Sequence, residues 1–316
     1  MSVAFPKIAI VGTGAIGIYY GVRLGIAGAD VRFLLRGDYD EVQRQGSMRI
    51  EDDRQTFELK PVSVFETTRA IGPVDLVIVG LKTTANRALA ELLPPLMGKD
   101  TLVLTLQNGL GAEETIAGVV GADRVLGGLA FIALNRIAPG VVKCFHHGSL
   151  LIGEFGRKPS DRTNALAAQF RAAGVVLKVA ESLEQARWQK LVWNIPFNGL
   201  SIVAGGRATD VICADPELAG RVRRLMKEVQ LAASAFGYGI EDEFLKGQFD
   251  VTPPMGAYKP SSLVDFLAGR EVEIESIWGE PLRRAQAARV PVPELELLYR
   301  QLQSAIQTER RTAPGV

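Results

Sequence analysis

A parallel α/β domain at the N-terminus, followed by an all-helical C-terminal domain, is the architecture this sequence predicts. Short apolar runs alternate with helical patterns through the first half, and a glycine-rich turn joins the first run to the first helix. After residue 180 long helical patterns take over. At 316 residues the chain is long for one hydrophobic core, so two domains are expected, 1–170 and 171–316.

The first apolar run, KIAIVG (7–12), reads as a buried strand ending in glycine. Residues 15–28 read as a helix closed by Gly28, and DVRFLLR (30–36) as the next strand. MRIEDDRQTFEL (48–59) has the pattern of a hairpin with Asp52 and Asp53 near its turn. VDLVIVGL (74–81), a helix over TTANRALAELLPPLM (83–97) and TLVLTLQ (101–107) continue the alternation, which implies βαβ units and right-handed crossovers. VLGGLAFIAL, GVVKCFH and SLLIGEF supply three more strands before the polar break RKPSD (157–161). Helical patterns then cover 182–203, 215–237 and 293–309, with shorter ones around 262–288, punctuated by TPPMGAYKPSS (252–262).

Composition narrows the function. Apolar residues at 47% and charged residues at 22% fit a soluble globular protein. The 36 basic and 35 acidic residues nearly cancel, so neither nucleic acid nor an anionic membrane is an expected partner. The longest apolar stretch is too short to span a bilayer, and the N-terminus reads as a strand and not as a signal peptide. Cys144 and Cys213 cannot build a disulfide framework, which points to the cytoplasm. His146 and His147 are the only histidines; as neighbours on an extended segment they point to opposite faces and make a poor metal pair. No metal is expected.

Gly12-Thr13-Gly14-Ala15-Ile16-Gly17 fits G-x-G-x-x-G, and it sits between a strand and a helix, the context that a dinucleotide-binding (Rossmann) turn needs. Gly12 permits the turn, Gly14 lets backbone approach a pyrophosphate, and Gly17 lets helix pack on strand. The helix N-terminus offers partial positive charge and free N–H donors to phosphate. Enzymes that select NAD place an acid at the end of the second strand, roughly 20 residues beyond the glycines, to bond the ribose 2′-hydroxyl. Here Leu34-Leu35-Arg36 stands at that point. A guanidinium favours a 2′-phosphate, so the expected cofactor is NADP(H).

The second half carries one unusual helix. In Arg187-Trp188-Gln189-Lys190-Leu191-Val192-Trp193-Asn194-Ile195-Pro196-Phe197-Asn198 the apolar residues cover nearly the whole circumference, so it should be deeply buried. Yet Lys190, Asn194 and Asn198 recur every fourth residue along one face. Buried amides and an ammonium need partners, which favours a polar ligand site over a solvated stripe. Pro196 frees the Val192 carbonyl and should kink the helix.

Taken together, GTGAIG (12–17), Arg36, Lys82 in GLKT, Asn108 in LQNG, the Lys190–Asn194–Asn198 stripe, Pro260-Ser261-Ser262 and Val272-Glu273-Ile274-Glu275 make the chain resemble the 2-dehydropantoate 2-reductase (ketopantoate reductase) family over nearly its whole length. The resemblance implies a Rossmann domain and an all-helical domain with the active site in the cleft between them. It also implies NADPH-dependent reduction of ketopantoate to pantoate on the route to pantothenate. By position it makes Lys190 the catalytic lysine and Glu273 the active-site glutamate. Asn108, Asn194, Asn198 and Ser262 become substrate-binding residues, and Lys82 and Asn108 lie by the nicotinamide end of the cofactor. Val272 stands where the family usually has Thr, and NIPFN (194–198) is bulkier than the usual small-residue version. Two other readings stay open from sequence: a reductase of another small 2-keto acid, and a silent NADP-sensing regulator. The apolar C-terminal helices offer a surface for a homodimer contact.

Overall fold

Ile8, Ala9, Ile10 and Val11 are fully buried because the strand they form is covered on both faces, as a central parallel strand must be. The computed structural model describes residues 4–312. The strands are β1 (Lys7–Val11), β2 (Asp30–Leu34), β3 (Met48–Glu51), β4 (Thr56–Leu59), β5 (Ser63–Phe65), β6 (Val74–Val79), β7 (Met97–Thr105), β8 (Val125–Ala138), β9 (Val141–Glu154) and β10 (Leu177–Val179). They form one sheet in the order β4-β3-β9-β8-β7-β6-β1-β2-β5, with β10 added against β9. Pairing is parallel except between β3 and β4 and between β8 and β9. Helices α1 (Ala15–Ile26), α2 (Tyr39–Gln45), α3 (Thr68–Ile71), α4 (Leu89–Leu92), α5 (Ala112–Val120) and α6 (Asp161–Ala172) complete the first unit. Ile8 and Ile10 enter one core with Tyr20 and Val22 of α1, whereas Ala9 and Val11 enter a second core with Leu89 and Ile116.

Three expectations change. The helix over 83–97 is broken into a 3-10 turn (Thr83–Ala88), the single turn α4 and a second 3-10 turn (Pro94–Leu96). Pro94-Pro95 withhold two N–H donors and restrict Leu93. The three strands expected over 125–155 are two long ones, because GVVKCFH and SLLIGEF are continuous in β9. What looked like a break is a bulge: Gly148 has φ +48°, and the β8–β9 register slips between Phe131 and Ala133. The boundary also moves. The chain divides into one unit of residues 1–107 with 112–183 and another of 108–111 with 184–316. Residues beyond 170 stay with the first unit because β10 pairs with β9, and the tetrapeptide Asn108–Gly111 belongs to the second.

The second unit is helical: α7 (Leu183–Val203), α8 (Thr209–Ala214), α9 (Pro216–Ser234), α10 (Asp242–Asp250), α11 (Ser261–Leu267), α12 (Glu280–Ala287) and α13 (Pro293–Thr312), with a π-helical turn (Glu275–Gly279) leading into α12. Trp188, Trp278, Leu298 and Leu302 centre its core. α7 runs on through Pro196, and the Trp278 indole N–H donates to the Ile195 carbonyl at 2.9 Å. Among the described residues no helix is long and apolar enough to cross a membrane, and no cluster of His, Cys, Asp and Glu is arranged to hold a metal. His147 instead bonds Asp52 and Tyr19, while His146 is exposed.

Glu154 ends β9 fully buried, where Arg157, Ser160, Arg162 and Thr163 donate to it. Burial alone would raise its pKa, but these donors outweigh it and bring the carboxyl from an ordinary 4.5 down to about 2. Such a group adds stability above its unfolded pKa and loses it as pH falls toward the folded one. Glu154→Gln should therefore lower unfolding free energy by about 3 kcal/mol near neutral pH. The difference from wild type should close as pH falls from 4.5 to about 2, which urea melts of both proteins across that range will read.

Candidate active site

In the first unit the residues expected to hold a nucleotide follow the C-terminal ends of three adjacent strands. β2, β1 and β6 lie side by side with Leu34, Val11 and Val79 in register, and their ends lead into Arg36, Gly12 and Lys82. Open α/β sheets bind ligands at this edge. Gly12 has φ +101°, and a Cβ on it would lie 2.2 Å from the Leu81 nitrogen; one on Gly17 would lie 2.2 Å from the Gly12 carbonyl oxygen. Both glycines are thus demanded by the backbone. A Cβ on Gly14, in contrast, would meet nothing within 4 Å, so the loop has open space at the glycine assigned to the pyrophosphate.

Gly14 starts α1 with Ala15 and Ile16 as its first residues, no side chain caps the helix, and no acid sits in its first turn. An anion is favoured there by the helix dipole and the free N–H groups. The Thr13 hydroxyl donates to the Leu34 carbonyl at 2.7 Å and ties this loop to the end of β2. Arg36 is exposed, and its guanidinium makes no hydrogen bond or ion pair among the described residues. Asp38, the nearest acid beyond β2, is paired with Arg136. Lys82 is half-buried and opens the 3-10 turn after β6. Residues and open space together fit a nucleotide carrying a 2′-phosphate.

In the second unit the stripe on α7 is not a solvated face. Leu191, Val192, Ile195, Phe197 and Leu200 are buried around it, and Asn194 and Asn198 are 9% and 2% exposed. Lys190 donates from Nζ to Asn108 Oδ1 at 2.9 Å. Asn198 Oδ1 accepts the Ser262 backbone N–H at 2.9 Å, which fixes the start of α11 against α7. The remaining capacity is what marks a site. The Asn194 amide, Asn198 Nδ2 and Ser262 Oγ have no hydrogen-bond partner among the described residues, although Ser262 too is only 4% exposed. Their atoms are not sealed from solvent either. Buried polar groups left this way cost stability unless water or a ligand takes them.

Lys190 keeps some accessible surface, but protein crowds its ammonium, and desolvation dominates its chemistry. Burial first, and then the charge of Arg187, lower its pKa from 10.5 to about 7, with Glu273 acting in the opposite sense. Glu275 is exposed and turned to other work, accepting from the Tyr299 hydroxyl at 2.6 Å and from Arg283 at 2.8 Å. Of the two glutamates it is Glu273 whose charge reaches Lys190. Sequence reasoning passed over Arg187, which is 3% exposed; its signal was a second cation one turn before Lys190 on an apolar helix. The bulk of NIPFN is absorbed by packing: Phe197 is fully buried and stacks on Trp193, whose indole donates to Thr252 Oγ1 at 3.0 Å.

Residues 8–157 match the family described as ketopantoate reductase PanE/ApbA, and residues 182–306 match the C-terminal part of the same family. A 2-dehydropantoate 2-reductase of Nostoc sp. is 40% identical over 301 residues, covering 94% of each chain. Among solved structures, 2-dehydropantoate 2-reductase from Geobacter metallireducens superposes with a TM-score of 0.91 at 42% identity, covering 95% of this chain and 99% of that one. The enzyme of the same name from Methylococcus capsulatus superposes at 0.89 with 33% identity, covering 98% and 99%.

Arg36→Asp should weaken NADPH far more than NADH, with the lost charge-assisted contact alone costing about 1.5–3 kcal/mol. Fluorescence titration with both nucleotides measures the difference, and equal losses would show that Arg36 does not read the 2′-phosphate. Asn194→Ala and Asn198→Ala should raise the KM for the small-molecule substrate and leave NADPH affinity nearly intact. Normal kinetics with a lowered melting temperature would instead make the stripe structural.

Proposed function

Because this chain belongs to the ketopantoate reductase PanE/ApbA family, we propose that it reduces 2-dehydropantoate to pantoate with NADPH on the route to pantothenate, and that Lys190 is the proton donor. The observation that carries the reading is the Lys190 ammonium, bonded to Asn108 and aligned on one face of α7 with Asn194 and Asn198, buried amides whose N–H groups have no hydrogen-bond partner among the described residues.

NADPH, when bound, supplies the hydride. Gly12, Thr13, Gly14, Ala15, Ile16 and Gly17 would hold its pyrophosphate and Arg36 its 2′-phosphate, with Lys82 and Asn108 toward the nicotinamide. Asn194, Asn198 and Ser262 offer uncharged hydrogen bonds to the hydroxyl and carboxylate of the keto acid, and they orient it without adding charge. As the ketone carbon is reduced, its oxygen gains negative charge, and the Lys190 ammonium stabilises that charge before giving it a proton. A lysine with a pKa of about 7 is matched to this task, since proton transfer is most effective when donor pKa and working pH lie close together. Asn108 accepts a hydrogen bond from the ammonium and Glu273 supplies the opposing charge, so both keep it protonated. The same reading places the enzyme in the cytoplasm, in keeping with the unpaired Cys144 and Cys213. A homodimer contact would use the apolar side chains exposed on α9 and α13, Leu231 and Leu297.

Lys190→Ala should lower kcat by roughly two or more orders of magnitude while NADPH affinity stays close to wild type. Lys190→Arg should recover only part of the rate, because Arg keeps the charge but holds its proton too tightly. The sign of the pH dependence is fixed by the donor role: kcat for reduction should be flat at low pH and fall as pH rises through about 7. Glu273→Gln removes the charge that opposes deprotonation and should move this fall to lower pH. Steady-state kinetics against pH, with ketopantoate and other small 2-keto acids compared by kcat/KM, test the donor and the substrate together. Near-normal kcat in Lys190→Ala would move the role to Lys82.

A further inference from the structure

The tetrapeptide Asn108–Gly111 lies between β7 and α5 in sequence, yet it packs with the helical unit, where Ser276 receives its glycine turn. Gly109 has φ +84°, and a Cβ there would stand 2.2 Å from the Ser276 carbonyl oxygen and 2.8 Å from Ser276 Cβ. The Leu110 N–H donates to the same carbonyl at 2.9 Å. No other residue type fits at Gly109, because both the left-handed backbone and the contact exclude a side chain. Ser276 is buried in the π-helical turn, a local widening of helix often found at functional sites. Its hydroxyl reaches the Glu273 carbonyl at 3.4 Å, and the Ile277 N–H donates to that carbonyl at 3.3 Å. Ser276 thus bonds to the turn that carries Asn108 and to the backbone that carries Glu273.

We infer that Gly109 and Ser276 are positioning residues whose docked backbones set Asn108 and Glu273 together, so that the Lys190 ammonium is aimed before substrate arrives. This rests on reading Lys190 as the proton donor. Charged groups acting on the ammonium include Arg187 on its own helix and Glu273 two residues before the π turn, and Asn108 is a neutral acceptor on it at 2.9 Å. Asn108 and Glu273 both favour the charged form. Loosening the dock removes an acceptor from the ammonium while leaving Arg187 in place, and the proton should then be held less tightly.

The test measures Lys190 directly in the full-length protein without substrate. Selective 13C-lysine labelling gives its titration by NMR, assigned with Lys190→Arg. Asn108→Ala should lower the midpoint by roughly one pH unit, Gly109→Ala should lower it similarly, and the double variant should fall short of the sum of the two shifts. Ser276→Gly loosens the same backbone without adding an atom; it should shift the midpoint the same way by less, and it keeps the test available if Gly109→Ala does not fold. A folded Gly109→Ala or Ser276→Gly protein with the wild-type midpoint would overturn the inference, as would additive effects in the double variant. A shifted Lys190 titration with an unshifted pH profile of kcat would support the dock and remove Lys190 from the donor role.

Discussion

An ammonium on a helix surrounded by apolar side chains cannot simply be hydrated, and the polar geometry of the helical unit follows from how Lys190 is held. Desolvation and Arg187 push it toward the neutral amine, while Asn108 and Glu273 draw it back. The balance leaves a cation that gives up its proton easily. Water would restore the ordinary pKa, and Trp188, Leu191, Val192 and Ile195 are packed away from it on the same stretch of α7.

The first unit works under a different constraint, the close approach of two backbones. Gly12 lies against Leu81, and Gly17 against Gly12 itself, at separations no side chain permits. These contacts pin the start of α1 to the ends of β1 and β6, and the Thr13–Leu34 hydrogen bond adds the end of β2. The helix N-terminus and Arg36 are thereby brought to the same edge of the sheet, where partial positive charge from the helix and full charge from the guanidinium can both act on phosphate.

Much of this was legible in the sequence, and the exceptions have physical causes. The glycine turn and the every-fourth-residue stripe are local patterns, and each lies within one element whose period makes it visible. The apolar spacing over 83–97 is helical, but Pro94-Pro95 defeat the backbone that the spacing suggests. β9 reads as two strands in sequence because a bulge at Gly148 resembles a turn. β10 is three residues long and becomes a strand only because β9 offers it an edge; no local signal announces such an element, and it keeps the chain beyond residue 170 with the first unit.

By itself the sequence determined the order of sheet and helices, the glycine turn, the lack of an acid after the second strand and the alignment of Lys190, Asn194 and Asn198, because each depends on spacing along the chain. Tertiary structure alone decided which polar groups would be satisfied. It gave Asn198 Oδ1 to Ser262 and left the Asn194 amide without a partner among the described residues, brought Asn108 from between two elements of the sheet unit to Lys190, and separated Glu273 from Glu275 though they are two residues apart. Partners distant in sequence meet only through packing, and the pKa of a buried lysine depends on all of them at once.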